Sequence, residues 1–184
     1  MNYRIDAGWL VPVRRVPSPN CDERPADTPV DLLVIHNISL PPGEYGGPWI
    51  DALFTNALDH ESHEFFAGLR GLRVSAHLLI DRAGQVTQYV PFHLRAWHAG
   101  ESCFRKRARC NDFSIGIELE GCDHSPYEDV QYRRLAAIVK TLMRYFPYIE
   151  RDRLVGHCDI APQRKTDPGP AFDWSYLHAL LAWD

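Results

Sequence analysis

Phe113-Ser114-Ile115-Gly116-Ile117-Glu118-Leu119-Glu120 alternates apolar residues with polar or small ones and is not interrupted. Successive side chains of a strand point to opposite faces. Phe113, Ile115, Ile117 and Leu119 therefore line one face, and Ser114, Gly116, Glu118 and Glu120 the other. Leu32-Leu33-Val34-Ile35 is apolar at every position, the pattern of a central strand covered on both faces. Arg73 to Asp81 and Gln85 to Val90 flank Ala83-Gly84 and predict a β-hairpin. Leu154-Val155-Gly156 predicts one more short strand, ending at His157.

Helical signals lie between these strands. Ser125-Pro126-Tyr127-Glu128 predicts a capping box with proline at the first helical position. Leu135, Ile138, Val139, Leu142 and Phe146 then repeat at helical spacing, one stripe for packing on a sheet. Asp173 is placed to cap a last helix carrying Leu177, Leu180 and Leu181. Interspersed strands and helices predict an α/β fold: one domain over 1–184, with a mixed central β-sheet flanked by helices. No repeat, low-complexity tract or interdomain linker divides the chain.

Charge and cysteine usage narrow the function classes. A net charge of −4 and a pI near 6.1 argue against broad binding to nucleic acid or anionic membrane. No apolar run reaches the ~20 residues that span a bilayer. Residues 1–20 mix charges with apolar residues and lack a secretory pattern, so the cytoplasm is the expected compartment. The five cysteines contain no C-x-x-C pair, which fits free thiols in a reducing compartment. Arg105-Lys106-Arg107-Ala108-Arg109 has only Phe104 as an aromatic companion and reads as a solvated loop, part of which can hold the carboxylates of an acidic ligand.

Nine histidines supply several possible metal groupings. His36 and His157 each follow a strand, and Asp167 closes a polar loop after His157. Two imidazoles and a carboxylate leave a zinc ion one open position, the arrangement catalysis needs. Spacing alone also leaves other readings open. His60 and His63 could share a helix face or lie in a solvated charged segment. His77 suits a hydrogen-bonded core or supporting position, and His93 and His98 suit surface or pocket-wall positions. Glu118 is either a substrate-facing carboxylate, with room made by Ser114 and Gly116, or a solvent-facing one.

Five ordered motifs carry a resemblance that extends from about Gly8 to Trp174. They are Leu33-Val-Ile-His-Asn-Ile-Ser-Leu-Pro-Pro-Gly43, Val74-Ser-Ala-His77, Arg95-Ala-Trp-His-Ala-Gly100, Cys110-Asn-Asp-Phe-Ser-Ile-Gly-Ile-Glu-Leu-Glu-Gly121 and Gly156-His-Cys-Asp-Ile-Ala-Pro-Gln-Arg-Lys-Thr-Asp-Pro-Gly169. The chain resembles the zinc-dependent N-acetylmuramoyl-L-alanine amidases of the peptidoglycan-recognition superfamily, in particular those acting on 1,6-anhydro-muropeptides. The resemblance implies that family's fold, with His36, His157 and Asp167 as Zn²⁺ ligands, Glu118 as catalytic acid–base and Lys165 as oxyanion stabiliser. It further implies that Asn37, Arg73, Trp97 and Arg109 contact the muropeptide, the two arginines gripping its peptide carboxylates. Gln163 departs from the family, which favours an acidic residue there.

The implied partners are small soluble anhydro-muropeptides, with no nucleic acid, membrane or obligate protein partner. The implied setting is wall recycling in a Gram-negative cytoplasm, with an influence on β-lactamase induction. An amidase of polymeric peptidoglycan and a non-catalytic muropeptide receptor are the competing expectations. The glycine-bearing loop Gly43–Gly47 is expected to move to admit substrate.

Overall fold

The computed structural model describes residues 2–182, so Met1, Trp183 and Asp184 of the expected 1–184 unit lie outside the described residues. The central sheet has six strands: β1 (Arg14–Arg15), β2 (Leu32–Ile38), β3 (Leu78–Ile80), β4 (Val86–Gln88), β5 (Ser114–Glu120) and β6 (Leu154–Gly156). Their spatial order is β6-β2-β5-β3-β4-β1. All neighbours run parallel except the antiparallel β3–β4 pair, so the sheet is mixed, as expected.

The alternation in β5 sorts the layers. Ile115, Ile117 and Leu119 join Leu33 and Ile35 of β2 in a core completed by helix Asp129–Tyr145 and helix Trp174–Leu181. The opposite face carries Leu32 and Val34, packed with Phe113 and Ile160, and a third cluster built around Phe54, Phe66 and Tyr89. Each strand thus has a greasy back. On the front, β5 presents Ser114, Gly116 and Glu118, all buried. The solvent-facing reading of Glu118 is thereby excluded.

In chain order the helices are α1 (Trp49–Phe54), α2 (Glu64–Ala67), α3 (Asp129–Tyr145), α4 (His157–Ile160) and α5 (Trp174–Leu181). Asp173 caps α5 as expected, its carboxylate accepting from the Tyr176 backbone N–H at 2.8 Å. The start of α3 differs from the expected capping box. The N-cap is Glu128, whose N–H donates to Gln131 Oε1 at 3.0 Å, and Pro126 lies in the turn before the helix. Tertiary partners decide this shift: the Gln131 amide donates to the carbonyls of Ile80 and Glu120, and the Glu128 carboxylate pairs with Arg82.

The hairpin forms between shorter strands than expected. Residues 73–77 leave regular pairing because Ser75 N donates to Trp97 O and His77 N to Gly116 O. His60 and His63 share no helix face. His63 caps the four-residue α2, and His60 Nδ1 donates to Phe66 O.

Arg24 went unnoticed in the sequence and proves structural. Its guanidinium donates to the carbonyls of Phe92, Asn111, Asp112 and Ser114, tying the segment before β2 to the start of β5. Burial, then the neighbouring Arg95 charge, lowers its pKa to about 10, so it stays charged at neutral pH. All five cysteines are unpaired. No helix among the described residues is long and apolar enough to cross a membrane.

Candidate active site

The parallel register places Glu118 of β5 beside His36 of β2 on the front of the sheet. On the other flank of β2, Gly156 of β6 pairs with Ile35, so His157 emerges next to His36 as the first residue of α4. The chain after α4 turns back on itself, since Arg164 and Lys165 donate their N–H groups to Ala161 O. Cys158 N then donates to Asp167 O at 3.0 Å, which brings the Asp167 carboxylate alongside the two imidazoles.

Three atoms converge there. His36 Nδ1 lies 2.9 Å from His157 Nδ1 and 3.1 Å from Asp167 Oδ2, and His157 Nδ1 lies 3.0 Å from Asp167 Oδ2. All three residues are buried, and among the described residues they form the one group of three or more His, Cys, Asp or Glu side chains whose ligand atoms converge in this way. A tetrahedral zinc ion with bonds of about 2.0–2.1 Å holds its ligand atoms about 3.3–3.4 Å apart, so small outward movements accommodate it. The donor chemistry fits as well. His157 Nε2 sits 3.1 Å from Ala99 O, which can only accept, so the proton is on Nε2 and Nδ1 offers a lone pair. Two imidazoles and a carboxylate suit zinc.

Electrostatics separate the two carboxylates. For Asp167, burial alone would raise the pKa. Hydrogen bonds from His157 and His36 outweigh it and hold the carboxyl well below its usual range. Glu118 shifts the opposite way: burial, then the nearby Asp167 charge, pushes its carboxyl well above the usual value, against a lowering by Lys165. Its Oε2 is buried without a hydrogen-bond partner. A pair of groups driven apart in this way separates into a permanently ionised member and a proton-exchanging one.

These groups sit in a cavity of about 460 Å³ whose lining includes Lys165, Asn37, Arg73, Trp97 and the apolar side chains of Leu53, Phe54 and Leu72. Trp97 donates its indole N–H to Asp22 at 3.1 Å, which leaves the ring face for a ligand. The Asn37 amide donates to Asp123 and to Pro168 O, bracing the Asp167 loop. Arg109 does not line the cavity; it is exposed and pairs with Asp112 at 3.1 Å. Its neighbours in the basic run are also engaged, Arg105 with Asp152 and Arg107 with Asp31.

The Gly43–Gly47 loop is likewise not part of this lining. Gly46 N donates to Glu120 Oε1, and Gly46 and Gly47 border a separate depression with Arg14 and Asp51. The space left by Ser114 and Gly116 is filled by the His98 ring rather than left for substrate: a Cβ added to Gly116 would come within 2.4 Å of His98 Cγ. His98 and Arg164 both line the cavity without having been singled out for it. A sheet face of small residues beside a buried glutamate was the signal that some large side chain had to cover it.

The profile of the N-acetylmuramoyl-L-alanine amidase family matches residues 26–170. The 1,6-anhydro-N-acetylmuramyl-L-alanine amidase AmpD of Salmonella typhimurium (strain SL1344) is 63% identical over 177 residues, 96% of this chain and 94% of the relative. The Escherichia coli K12 protein of the same name is 60% identical over 178 residues, 97% of both chains. A crystal structure of a selenomethionine derivative of AmpD superposes with a TM-score of 0.94 at 60% identity, covering 96% of this chain and 98% of that one. The E. coli amidase AmiD, solved with anhydro-N-acetylmuramic acid-L-Ala-D-γ-Glu-L-Lys, superposes at 0.60 with 31% identity, covering 97% of this chain and 65% of that one. A motif-for-motif sequence match, the shared fold and a convergent His-His-Asp site beside a buried glutamate lead to one assignment: the chain is an amidase and belongs to the N-acetylmuramoyl-L-alanine amidase family.

Proposed function

We propose that this chain is a zinc-dependent hydrolase of the amide joining the lactyl group of 1,6-anhydro-N-acetylmuramic acid to L-alanine, acting on small soluble muropeptides in the cytoplasm. The observation that carries the metal dependence is the buried convergence of His36, His157 and Asp167 beside a glutamate whose Oε2 has no partner. Zinc bound there would supply Lewis-acid polarisation and lower the pKa of a water toward about 7.

The chain's own groups do the rest. Glu118 has the raised proton affinity of an acid–base catalyst: it takes a proton from the attacking water and returns it to the departing amino group of L-alanine. Lys165, on the cavity wall, donates to the carbonyl oxygen as negative charge develops on it. The Trp97 face and the Leu53–Phe54 surface contact the sugar and lactyl group, and Arg73 meets the peptide carboxylates.

Incubating the protein with anhydro-muramyl-tripeptide, with and without chelator and added zinc, tests this by mass spectrometry. Release of free tripeptide, lost with chelator and restored by zinc, is expected. Intact substrate in a zinc-loaded sample would favour a muropeptide receptor, and release from intact sacculi alone would favour a polymer-cleaving amidase.

Two variants test the residue roles. Lys165→Ala is expected to keep its zinc and to lose roughly 100- to 1,000-fold in kcat, the usual cost of an oxyanion donor; a rate within a few-fold of the parent would remove Lys165 from that role. Arg73→Ala is expected to raise KM for the tripeptide substrate roughly 2- to 5-fold, because its partly exposed ion pair is worth about 1 kcal/mol at most. An equal rise for muramyl-L-alanine, which lacks the distal carboxylates, would assign Arg73 elsewhere.

A further inference from the structure

A line of three hydrogen bonds leads from β5 to the metal-facing imidazole. Ser114 Oγ lies 2.6 Å from Cys110 O and 3.0 Å from His98 Nε2, and His98 Nδ1 lies 2.9 Å from His36 Nε2. The carbonyl of Cys110 can only accept, so the single hydroxyl proton of Ser114 is spent on it. The Ser114 oxygen must then accept from His98, which places the His98 proton on Nε2. A neutral His98 with its proton there has a bare Nδ1, which can only accept from His36. The proton of His36 is therefore on Nε2, and its Nδ1 turns a lone pair toward His157 and Asp167.

The seat of the His98 ring is built for this. Gly116 leaves the ring its space, since any Cβ there would overlap it. Asn111 Oδ1 accepts from the backbone N–H groups of His98 at 3.1 Å and Ala99 at 2.8 Å, holding the loop that carries the ring.

We propose that Ser114 and His98 form a positioning relay that fixes the proton of His36 on Nε2 and so presents a bare His36 Nδ1 to the metal ion. The relay rests on the proposed His36–His157–Asp167 zinc site and adds to it a reason for the site's donor state. The Ala99 carbonyl fixes the His157 tautomer in the same sense. With both imidazoles so fixed, three acceptor atoms about 3 Å apart face one another with no proton among them, a constellation that a cation relieves.

The test compares Ser114→Ala, His98→Leu and His98→Asn with the parent. The asparagine carboxamide oxygen stands where His98 Nδ1 stands and can accept from His36. Long-range ¹H–¹⁵N spectra of the zinc-free proteins read the His36 tautomer, and competition with a chelating dye reads zinc affinity on samples shown by circular dichroism to be folded. The parent should show a single Nε2–H tautomer for His36. Ser114→Ala and His98→Leu should show mixed tautomers and bind zinc about 10- to 100-fold more weakly, the usual effect of losing a group that orients a metal ligand. His98→Asn should recover to within a few-fold of the parent.

Zinc binding by Ser114→Ala and His98→Leu within about threefold of the parent, or an Nδ1–H tautomer of His36 in the parent, would overturn the relay. So would an asparagine variant no better than the leucine one. A parent that binds no zinc would instead sink the metal reading, while the tautomer spectra of the zinc-free proteins would still decide for or against the relay.

Discussion

Glu118→Gln should retain zinc and lose roughly 10²- to 10⁴-fold in kcat, because the amide keeps the shape of the side chain but cannot take up and return a proton. The same substitution should stabilise the zinc-free protein. Burial, then the Asp167 charge, raises the Glu118 carboxyl well above its usual value. A carboxyl whose folded-state pKa lies above the unfolded one contributes fully at low pH. That contribution is lost as pH rises through the folded value. At neutral pH the folded protein must therefore either ionise this carboxylate in the core or keep it protonated, and both are costly. Glutamine carries no such cost. Thermal melts of zinc-free parent and variant should show the variant melting higher at pH 7, with the gap narrowing toward pH 4. A variant that melts lower at pH 7, or that turns over at near-parent rate, would contradict the role given to Glu118.

Asp167→Asn should act in the opposite direction on both counts. Removal of groups that merely support metal ligands costs about 10- to 100-fold in affinity, so the loss of a charged ligand should exceed about 100-fold. Activity at limiting zinc should fall to background. The stability argument also reverses sign. Histidine hydrogen bonds hold the Asp167 carboxyl well below its usual range despite burial, so its contribution is present above the unfolded pKa of about 3.9 and is lost only as pH falls through the folded value. The zinc-free asparagine variant should therefore melt below the parent at pH 7, with the difference shrinking in acid. Zinc affinity within tenfold of the parent would remove Asp167 from the ligand set. The two carboxylates thus form a matched pair of tests: one expected to exchange stability for catalysis, the other to support both.

Much of this architecture is legible one element at a time. The period-2 pattern of residues 113–120 marks a strand with one apolar face, the apolar run 32–35 marks its buried neighbour, and Asp173 marks the start of α5. These signals are local, because side-chain direction in a strand and capping at a helix end depend on residues a few positions apart. The α3 start misleads for the same reason. Ser125-Pro126-Tyr127-Glu128 satisfies a local rule, but Gln131 reaches the carbonyls of Ile80 and Glu120, and those distant bonds place the cap at Glu128.

The sequence by itself determined the strands, the chemistry available at His36, Glu118, His157, Lys165 and Asp167, and, through five ordered motifs, the family. Only the tertiary structure decided what stands next to what. The registers that set Glu118 beside His36 and Gly156 beside Ile35 are pairings between residues some 80 to 120 positions apart. No local periodicity encodes such a pairing, which is chosen by burial of both sheet faces at once. The same packing turned Ser114 and Gly116 from apparent room for substrate into the seat of His98. It also left Arg109 at the surface while Arg73 reached the cavity. A side chain's role in a site depends on which partners exclude water around it, and in this chain those partners come from strands and loops far apart in sequence.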